Sequence, residues 1–228
     1  MSDSFLHYAA LRKQKGIFSY GLKRRSETVE GFLQKTSLPN QAKILDVGTA
    51  DGEMIRRLMT VFPHYDFTGI ERIPEMVELA QTNGINVFLG EAAALPFPDE
   101  SFDAVTMIST IKHILHYQQV FAECHRVLKS QGILIVAEPT RLALWVGLRK
   151  GHFDPHSLPN RWSLAQMEAH LTSAGFQTWM KKRYMLAPFN FPGCSALESL
   201  LAACRCSCFF LHQAIMVRKK QDEIPGTT

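Results

Sequence analysis

From residue 43 onward the chain alternates two kinds of apolar pattern. Lys43 to Val47, Asp66 to Ile70, Asn86 to Leu89, Phe102 to Ile108 and Ile133 to Ala137 are short, nearly continuous apolar runs that read as strands. Between them, apolar residues recur every three or four positions: Met54, Ile55, Leu58 and Met59; Met76, Val77 and Ala80; Val120, Phe121, Cys124, Val127 and Leu128. That is helical spacing. Strands alternating with amphipathic helices predict an α/β fold with a parallel sheet and crossover helices. Pro74 suits the first turn of the second of these helices, and Asn83-Gly84 suits its end. The unbroken run Ile133 to Ala137 fits a strand buried on both faces.

The flanks are less regular. Residues 5–35 carry two helical apolar faces, Phe5, Tyr8 and Leu11, then Val29, Phe32 and Leu33. They precede the first strand and so form an N-terminal cap over residues 1–40. Gly16 to Tyr20 breaks the pattern, as a mobile lid or as a plain helix–helix turn. Residues 139–162 hold three prolines and two tryptophans with little periodicity beyond a short helix at Leu142 to Leu148, and they are the expected substrate insertion. Ser163 with Gln166 reads as a capping box for a helix through Leu171, which Gly175 closes. Phe176 to Met185, a helix Ser195 to Ala203 and a strand Phe209 to Arg218 complete a domain spanning 41–220, and 221–228 is a tail.

The first strand ends in the turn Asp46-Val47-Gly48-Thr49-Ala50-Asp51-Gly52. Glycines there let the backbone turn sharply and a ligand lie against it, while the next helix presents unpaired N–H groups. A phosphate loop needs Lys-Ser or Lys-Thr after its last glycine, where this chain has Glu53 and Met54. A dinucleotide turn sets a pyrophosphate on the helix N-terminus, but Asp46 and Asp51 would repel one. These acids suit a ligand with an amine, a sulfonium and hydroxyls. Glu71 ends the second strand about 20 residues beyond the turn, where a carboxylate takes ribose hydroxyls in such βαβ units.

With these residues the chain resembles the class I S-adenosylmethionine-dependent methyltransferases, whose first motif is acid-x-Gly-x-Gly-x-Gly; Ala50 replaces the middle glycine. The likeness continues through Gly90 to Val105 (GEAAALPFPDESFDAV), Phe121 to Lys129 (FAECHRVLK) and Gly132 to Glu138 (GILIVAE), nearest to the branch acting on quinones and natural products. The resemblance implies a Rossmann-like, seven-stranded, mostly parallel sheet with an antiparallel last strand beside strand five, helices on both faces, and a helical cap over the cofactor. It implies S-adenosyl-L-methionine as cofactor, held by Asp46, Gly48, Thr49, Ala50, Gly52, Glu71 and Glu91. Arg72 and Ile73 would flank adenine, Ala92 would follow the adenine-contacting acid, and Ser109 would stand near the methionine end. For Asp46 the alternative is a buried structural acid, and for Glu71 a surface strand end.

Composition narrows the setting. At 228 residues, with 46% hydrophobic and 20% charged residues, one domain suffices. The net charge of +4 comes with scattered basic clusters and little aromatic interleaving, so nucleic acid is not an expected partner. The first residues lack the apolar core of a secretory signal, and a cytoplasmic location is expected. Ser195 to Val217 is apolar but broken by Glu198, Arg205 and His212, so it reads as a buried helix plus strand and not as a membrane span. Five cysteines argue against a disulfide framework. Cys204, Cys206 and Cys208 would line one face of a strand and could hold a soft metal, or be small buried thiols.

Methyl transfer from a sulfonium needs in-line alignment of the acceptor and, for a hydroxyl acceptor, removal of a proton. The acceptor should meet the exit of the fourth strand, Ser109-Thr110-Ile111-Lys112-His113. His113 is the candidate base, or makes a local hydrogen bond at the helix entry. His116, Tyr117, His152 and His156 are further candidates, and Glu138 lines the pocket or caps its turn. No metal is expected. An Asn- or Asp-Pro-Pro-aromatic turn and a Pro-Cys nucleophile are both absent, which leaves a small organic acceptor, oxygen first. The alternatives are a protein or RNA methyltransferase and a non-catalytic S-adenosylmethionine-binding regulatory protein.

Overall fold

The computed structural model describes residues 17–151, 155–187, 191–204 and 209–220. Seven strands form one sheet: β1 (Lys43–Val47), β2 (Asp66–Glu71), β3 (Val87–Leu89), β4 (Phe102–Ile108), β5 (Leu128–Pro139), β6 (Phe176–Tyr184) and β7 (His212–Lys219). Their order across the sheet is β3-β2-β1-β4-β5-β7-β6. The first five strands pair in parallel. β7 runs antiparallel to both neighbours, inserted between β5 and β6, with Pro139 and Tyr184 both opposite His212. This is the Rossmann-like methyltransferase architecture, with its antiparallel last strand in the expected place.

Among the described residues seven α-helices flank the sheet, the first ahead of β1 and the others between strands: α1 (Ile17–Leu33), α2 (Glu53–Val61), α3 (Pro74–Thr82), α4 (Tyr117–Val127), α5 (Arg141–Arg149), α6 (Leu164–Ser173) and α7 (Cys194–Ala203). Alternation along the central strands splits the core into two layers, because successive side chains point to opposite faces. Ile44, Ala104, Ile133 and Ile135 pack with Leu22, Val29 and Phe32 of α1 and with Ile55 and Leu58 of α2. Leu45, Val105, Leu134 and Val136 pack on the other face with Phe121 and Cys124 of α4 and Leu171 of α6. Each large side chain fully buried here contributes about 1.5–3 kcal/mol.

Local signals act where they were read. Ser163 Oγ accepts from Gln166 N at 3.3 Å while Gln166 Oε1 accepts from Ser163 N at 3.0 Å, the reciprocal cap of α6. Pro74 opens α3 and Gly84, at φ 78°, follows its Asn83 cap.

Four expectations need correction. The break foreseen at Gly16 to Tyr20 does not extend past Gly16: α1 runs unbroken through Tyr20 and Gly21, because Leu22, Val29 and Phe32 hold one continuous face on the core. Helix α4 stops at Val127, one residue early, because Leu128 pairs with Phe102 and starts β5. The helix at Ser195 to Ala203 is not buried: Leu197 and Leu200 of α7 are exposed. Cys204 follows that helix and is exposed, not strand-borne, while Cys206 and Cys208 lie outside the described residues, as do Phe5, Tyr8, Leu11 and His152. Among the described residues no helix is long and apolar enough to cross a membrane.

Candidate functional site

The tips of β1, β2 and β4 meet at the turn after β1. Asp46 is buried, its Oδ1 accepting from Thr106 Oγ1 on β4 at 2.6 Å. Thr49 Oγ1 donates back to Asp46 O at 2.7 Å, and the N–H groups of Gly48 and Thr49 donate to Ile70 O at 2.9 and 3.2 Å. Gly48 and Gly52 both have φ 78°, the left-handed region that a side chain disfavours. Their missing side chains do not clear room for a ligand. A Cβ on Gly48 would sit 2.5 Å from Thr110 Cγ2, and one on Gly52 would sit 2.6 Å from Ile85 Cγ1. The glycines therefore permit the turn and let β4's exit and the chain before β3 close against it. Ala50 takes φ 52° with a Cβ, at a cost of about 1–3 kcal/mol.

Glu71 holds that conformation in place. Its Oε2 accepts from Ala50 N at 2.9 Å, and its Oε1 accepts from Arg72 N at 2.9 Å and Ile73 N at 3.1 Å. The side chain is buried, so it is not a surface strand end. A carboxylate offers about four acceptor positions. Three are filled by the protein, and the one left over is on Oε2. Gly90 N donates to Glu71 O at 3.0 Å, which brings the turn carrying Glu91 beside it. Glu91 and Arg72 are exposed, and Ile73 and Ala92 are half-buried.

The start of α2 is acidic. Asp51 is fully buried, with Oδ1 3.4 Å from Glu53 N, and its carbonyl accepts from Asn83 Nδ2 at 3.1 Å. Glu53 pairs with Arg56 at 2.7 Å and Arg57 at 3.1 Å, which takes up the nearest cations. Carboxylates here oppose a phosphate and suit hydroxyl and amine groups.

At β4's exit, Ser109 adopts φ 61° and its buried hydroxyl has no hydrogen-bond partner in the protein. An orphaned hydroxyl at the exit of β4 and a spare carboxylate lone pair at the exit of β2, on either side of β1, fit a polar nucleoside ligand better than an empty structural corner. His113 lies in the 3-10 turn Ile111–His113, Nδ1 2.9 Å from Ser157 O. Desolvation and the neighbouring Lys112 ammonium push its pKa down to about 4, so the ring is neutral at physiological pH.

Little in the chain's pattern points to the groups beneath this exit. Lys112 and Glu138 form an ion pair at 3.7 Å with both side chains 6% exposed. Glu138 Oε1 also accepts from Ile111 N at 2.8 Å, and Lys112 Nζ donates to Ser109 O. Burial raises the Glu138 pKa, against the pull of Lys112. Asn160, from the 139–162 segment, donates through Nδ2 to Ile111 O at 2.9 Å and to Ile114 O. A cavity of about 10 Å³ between Lys112, Glu138, Asn160, Trp162 and Gln213 has room for about one water. A lysine one residue before the histidine and a glutamate after an apolar strand were the only signals, and neither reveals that the two pair.

The remaining base candidates do not converge. Tyr117 turns under α4, its hydroxyl 3.2 Å from His170 Nδ1 and its ring 4.6 Å from Trp162. His116 and His156 are exposed.

A doubly covered sheet with an antiparallel seventh strand, and an acid-lined turn after its first strand, make up the architecture expected from the resemblance to class I S-adenosylmethionine-dependent methyltransferases. Residues 45–136 match the family model described as a methyltransferase domain. Among curated proteins, the chain is 35% identical over 126 residues to a demethylmenaquinone methyltransferase of Thermotoga maritima, covering 54% of this chain and 53% of that one. It is 29% identical over 131 residues to a ubiquinone/menaquinone biosynthesis C-methyltransferase of Citrifermentans bemidjiense, covering 54% and 55%. The chain thus spans only about half the length of these relatives. Among solved structures, a Thermotoga maritima protein described as a possible histamine N-methyltransferase superposes with TM-score 0.69 at 21% identity, over 90% of this chain and 91% of that one. The [4+2]-cyclase SpnF superposes with TM-score 0.63 at 22% identity, over 85% and 81%. These two likenesses show the fold alone, and the second shows that this fold also carries other chemistry.

Proposed function

We propose that the protein transfers a methyl group from S-adenosylmethionine to a small organic acceptor, and that the accepting atom is a ring carbon of a quinol-type aromatic. The Glu71 carboxylate, stapled to three backbone amides and left with one acceptor position, is the observation that carries the cofactor half of this reading. The curated relatives support the acceptor half. Both act in quinone biosynthesis by name and one is named as a carbon methyltransferase, so the earlier preference for oxygen finds no support and gives way to carbon.

S-adenosylmethionine, when bound, supplies an electrophilic methyl on a sulfonium. Glu71 would accept a ribose hydroxyl through its free Oε2 position. Asp46 would act from behind, holding Thr49 and Thr106 so that the turn keeps its shape. The turns carrying Arg72 and Glu91 would border the base, with Ile73 and Ala92 as apolar flanks. Ser109 would meet the methionine end, and the acceptor would enter over the exit bounded by His113 and the 139–162 segment, with residues 1–40 as the cap. For a quinol carbon, loss of a ring hydroxyl proton pushes electron density onto the neighbouring carbon. That carbon would accept the methyl that the sulfonium supplies, and its own hydrogen would leave as a proton. His113 would present Nε2 to that hydroxyl, since its Nδ1 is turned to Ser157 O. With its pKa held down to about 4 it is a weak base, and it serves better to orient the hydroxyl than to remove its proton.

The test combines calorimetry with S-adenosylhomocysteine and product analysis with a short-chain naphthoquinol. Expected are saturable binding and a product that has lost a ring C–H signal while keeping both hydroxyls. A methoxy product would refute carbon transfer, and no binding heat would refute the cofactor assignment.

A further inference from the structure

We infer that α5, α7 and the segment entering β7 together form a docking face for an anionic lipid surface. Helix α5 is apolar on two sides. Leu144 and Gly147 face the core, yet Leu142 and Trp145 are 39% and 55% exposed on the outer side, three residues apart. A helix of a globular domain normally turns charged residues outward. On α7 the outward residues Leu197 and Leu200, again three apart, are 39% and 59% exposed, and Phe209 is 58% exposed.

These residues share one end of the molecule. Helix α5 starts where β5 ends. Its cap Thr140 donates through N to Leu211 O at 2.8 Å and through Oγ1 to Phe210 O at 2.9 Å, which ties the helix start to Phe209's neighbours. Helix α7 lies between the end of β6 and the start of β7, and both of those strand ends are opposite one another at Tyr184 and His212. All therefore sit at the carboxyl end of the parallel strands.

The charge on α5 itself has one sign. Thr140 to Gly151 hold Arg141, Arg149 and Lys150 and no Asp or Glu; of the acids on either side, Glu138 is buried against Lys112 and Asp154 lies outside the described residues. All three cations are exposed, and the Arg149 guanidinium lies 5.2 Å from the centre of the Trp145 ring. Glu198, the one acid of α7, is taken up by Arg24. An exposed tryptophan and leucines flanked by unopposed Arg and Lys match the interfacial zone of an anionic bilayer, where the ring sits among headgroups and the cations meet lipid phosphates. The face does not depend on which acceptor is methylated. Resting on the proposed function, it would turn the strand exits toward the layer that dissolves a quinol with a hydrocarbon tail.

The experiment is co-sedimentation of the full chain with vesicles of phosphatidylcholine alone and of phosphatidylcholine mixed with phosphatidylglycerol, following tryptophan emission. Expected is binding to the mixed vesicles that weakens with added salt, with a blue shift that is lost in Trp145→Phe. Leu142→Ser/Trp145→Ser should weaken binding at least about tenfold, and Arg149→Glu/Lys150→Glu should abolish the preference for the anionic lipid. The urea-unfolding midpoint and S-adenosylhomocysteine affinity are expected to stay unchanged in both variants, which separates this face from the cofactor site. The inference is overturned by absence of binding to the mixed vesicles, or by binding that the variants leave intact. It is overturned equally if the lipid-free protein forms a dimer that Leu142→Ser/Trp145→Ser dissociates, or if Trp145 is shielded from acrylamide by residues 1–16.

Discussion

Replacing Glu71 by Gln separates the two roles given to that side chain. The substitution keeps the volume and leaves one oxygen for Arg72 N and Ile73 N, now 2.9 and 3.1 Å from Glu71 Oε1. The new amide would point N–H groups at Ala50 N, 2.9 Å from Oε2 today, so a donor meets a donor. A hydrogen bond to a charged acceptor contributes about 1.5–3 kcal/mol, and this is the expected loss in folding stability by urea titration. The Oε2 position left for a ribose hydroxyl is lost at the same time. That should weaken S-adenosylhomocysteine binding by a further ~1.5–3 kcal/mol, roughly 10- to 150-fold in Kd by calorimetry. Ala50→Gly is the control. It relieves about 1–3 kcal/mol of left-handed strain and gives back ~0.4–1 kcal/mol by freeing the unfolded chain, so stability should hold or rise by up to about 2 kcal/mol. If Glu71→Gln loses stability while Kd stays within about threefold, the carboxylate merely staples the turn and the cofactor assignment fails.

Three other outcomes are expected. Gly48→Ala places a Cβ 2.5 Å from Thr110 Cγ2 at φ 78°, and should cost at least about 2 kcal/mol in urea unfolding; Thr110→Ala should restore only part, since the backbone strain remains. Lys112→Met leaves Glu138 buried without its cation and should cost ~3–5 kcal/mol, whereas Lys112→Met/Glu138→Gln should cost less than the sum of the single changes; strict additivity in the double-mutant cycle would refute the pair. Burial, reinforced by the charges of Arg25 and Lys112, holds the His212 pKa well below its ordinary 6.5. The unfolded chain then takes up a proton that the folded one does not, so stability should fall as pH drops below about 6.5, by up to about 1.4 kcal/mol per pH unit. His212→Gln should flatten that slope, and an unchanged slope would rule His212 out as its source.

The sheet was legible because its strands are short apolar runs with clear ends: KILDV is β1 and FDAVTMI is β4, residue for residue. The capping box at Ser163 and the glycine at 84 were legible because each acts through its nearest neighbours. The place of β7 came from resemblance, since pairing with β5 across more than 70 residues leaves no local mark. At the candidate site, Gly48, Ala50 and Glu71 could be named, but not what they touch: Thr110 fills the space beside Gly48, and three amides claim Glu71. The Lys112–Glu138 pair was hidden for the same reason, because 26 residues separate groups that meet only when β4 and β5 lie side by side. The exposure of α7 was misread because leucine-rich helices are usually buried, and pattern alone does not say whether anything covers them.

The insertion of β7 between β5 and β6 bears on how this chain is made. When Ile133 to Ala137 emerge from the ribosome their outer edge has no neighbour, and residues 212–219, which complete it, follow about 75 residues later. At translation speeds of about 5–20 residues per second this edge stays open for roughly 4–15 s. β6 is synthesised in that interval but belongs one place further out, so premature pairing with β5 would trap a wrong sheet. Chaperone dependence during synthesis, and aggregation of nascent chains halted before residue 212, are the cellular cost of ending the sheet from the inside.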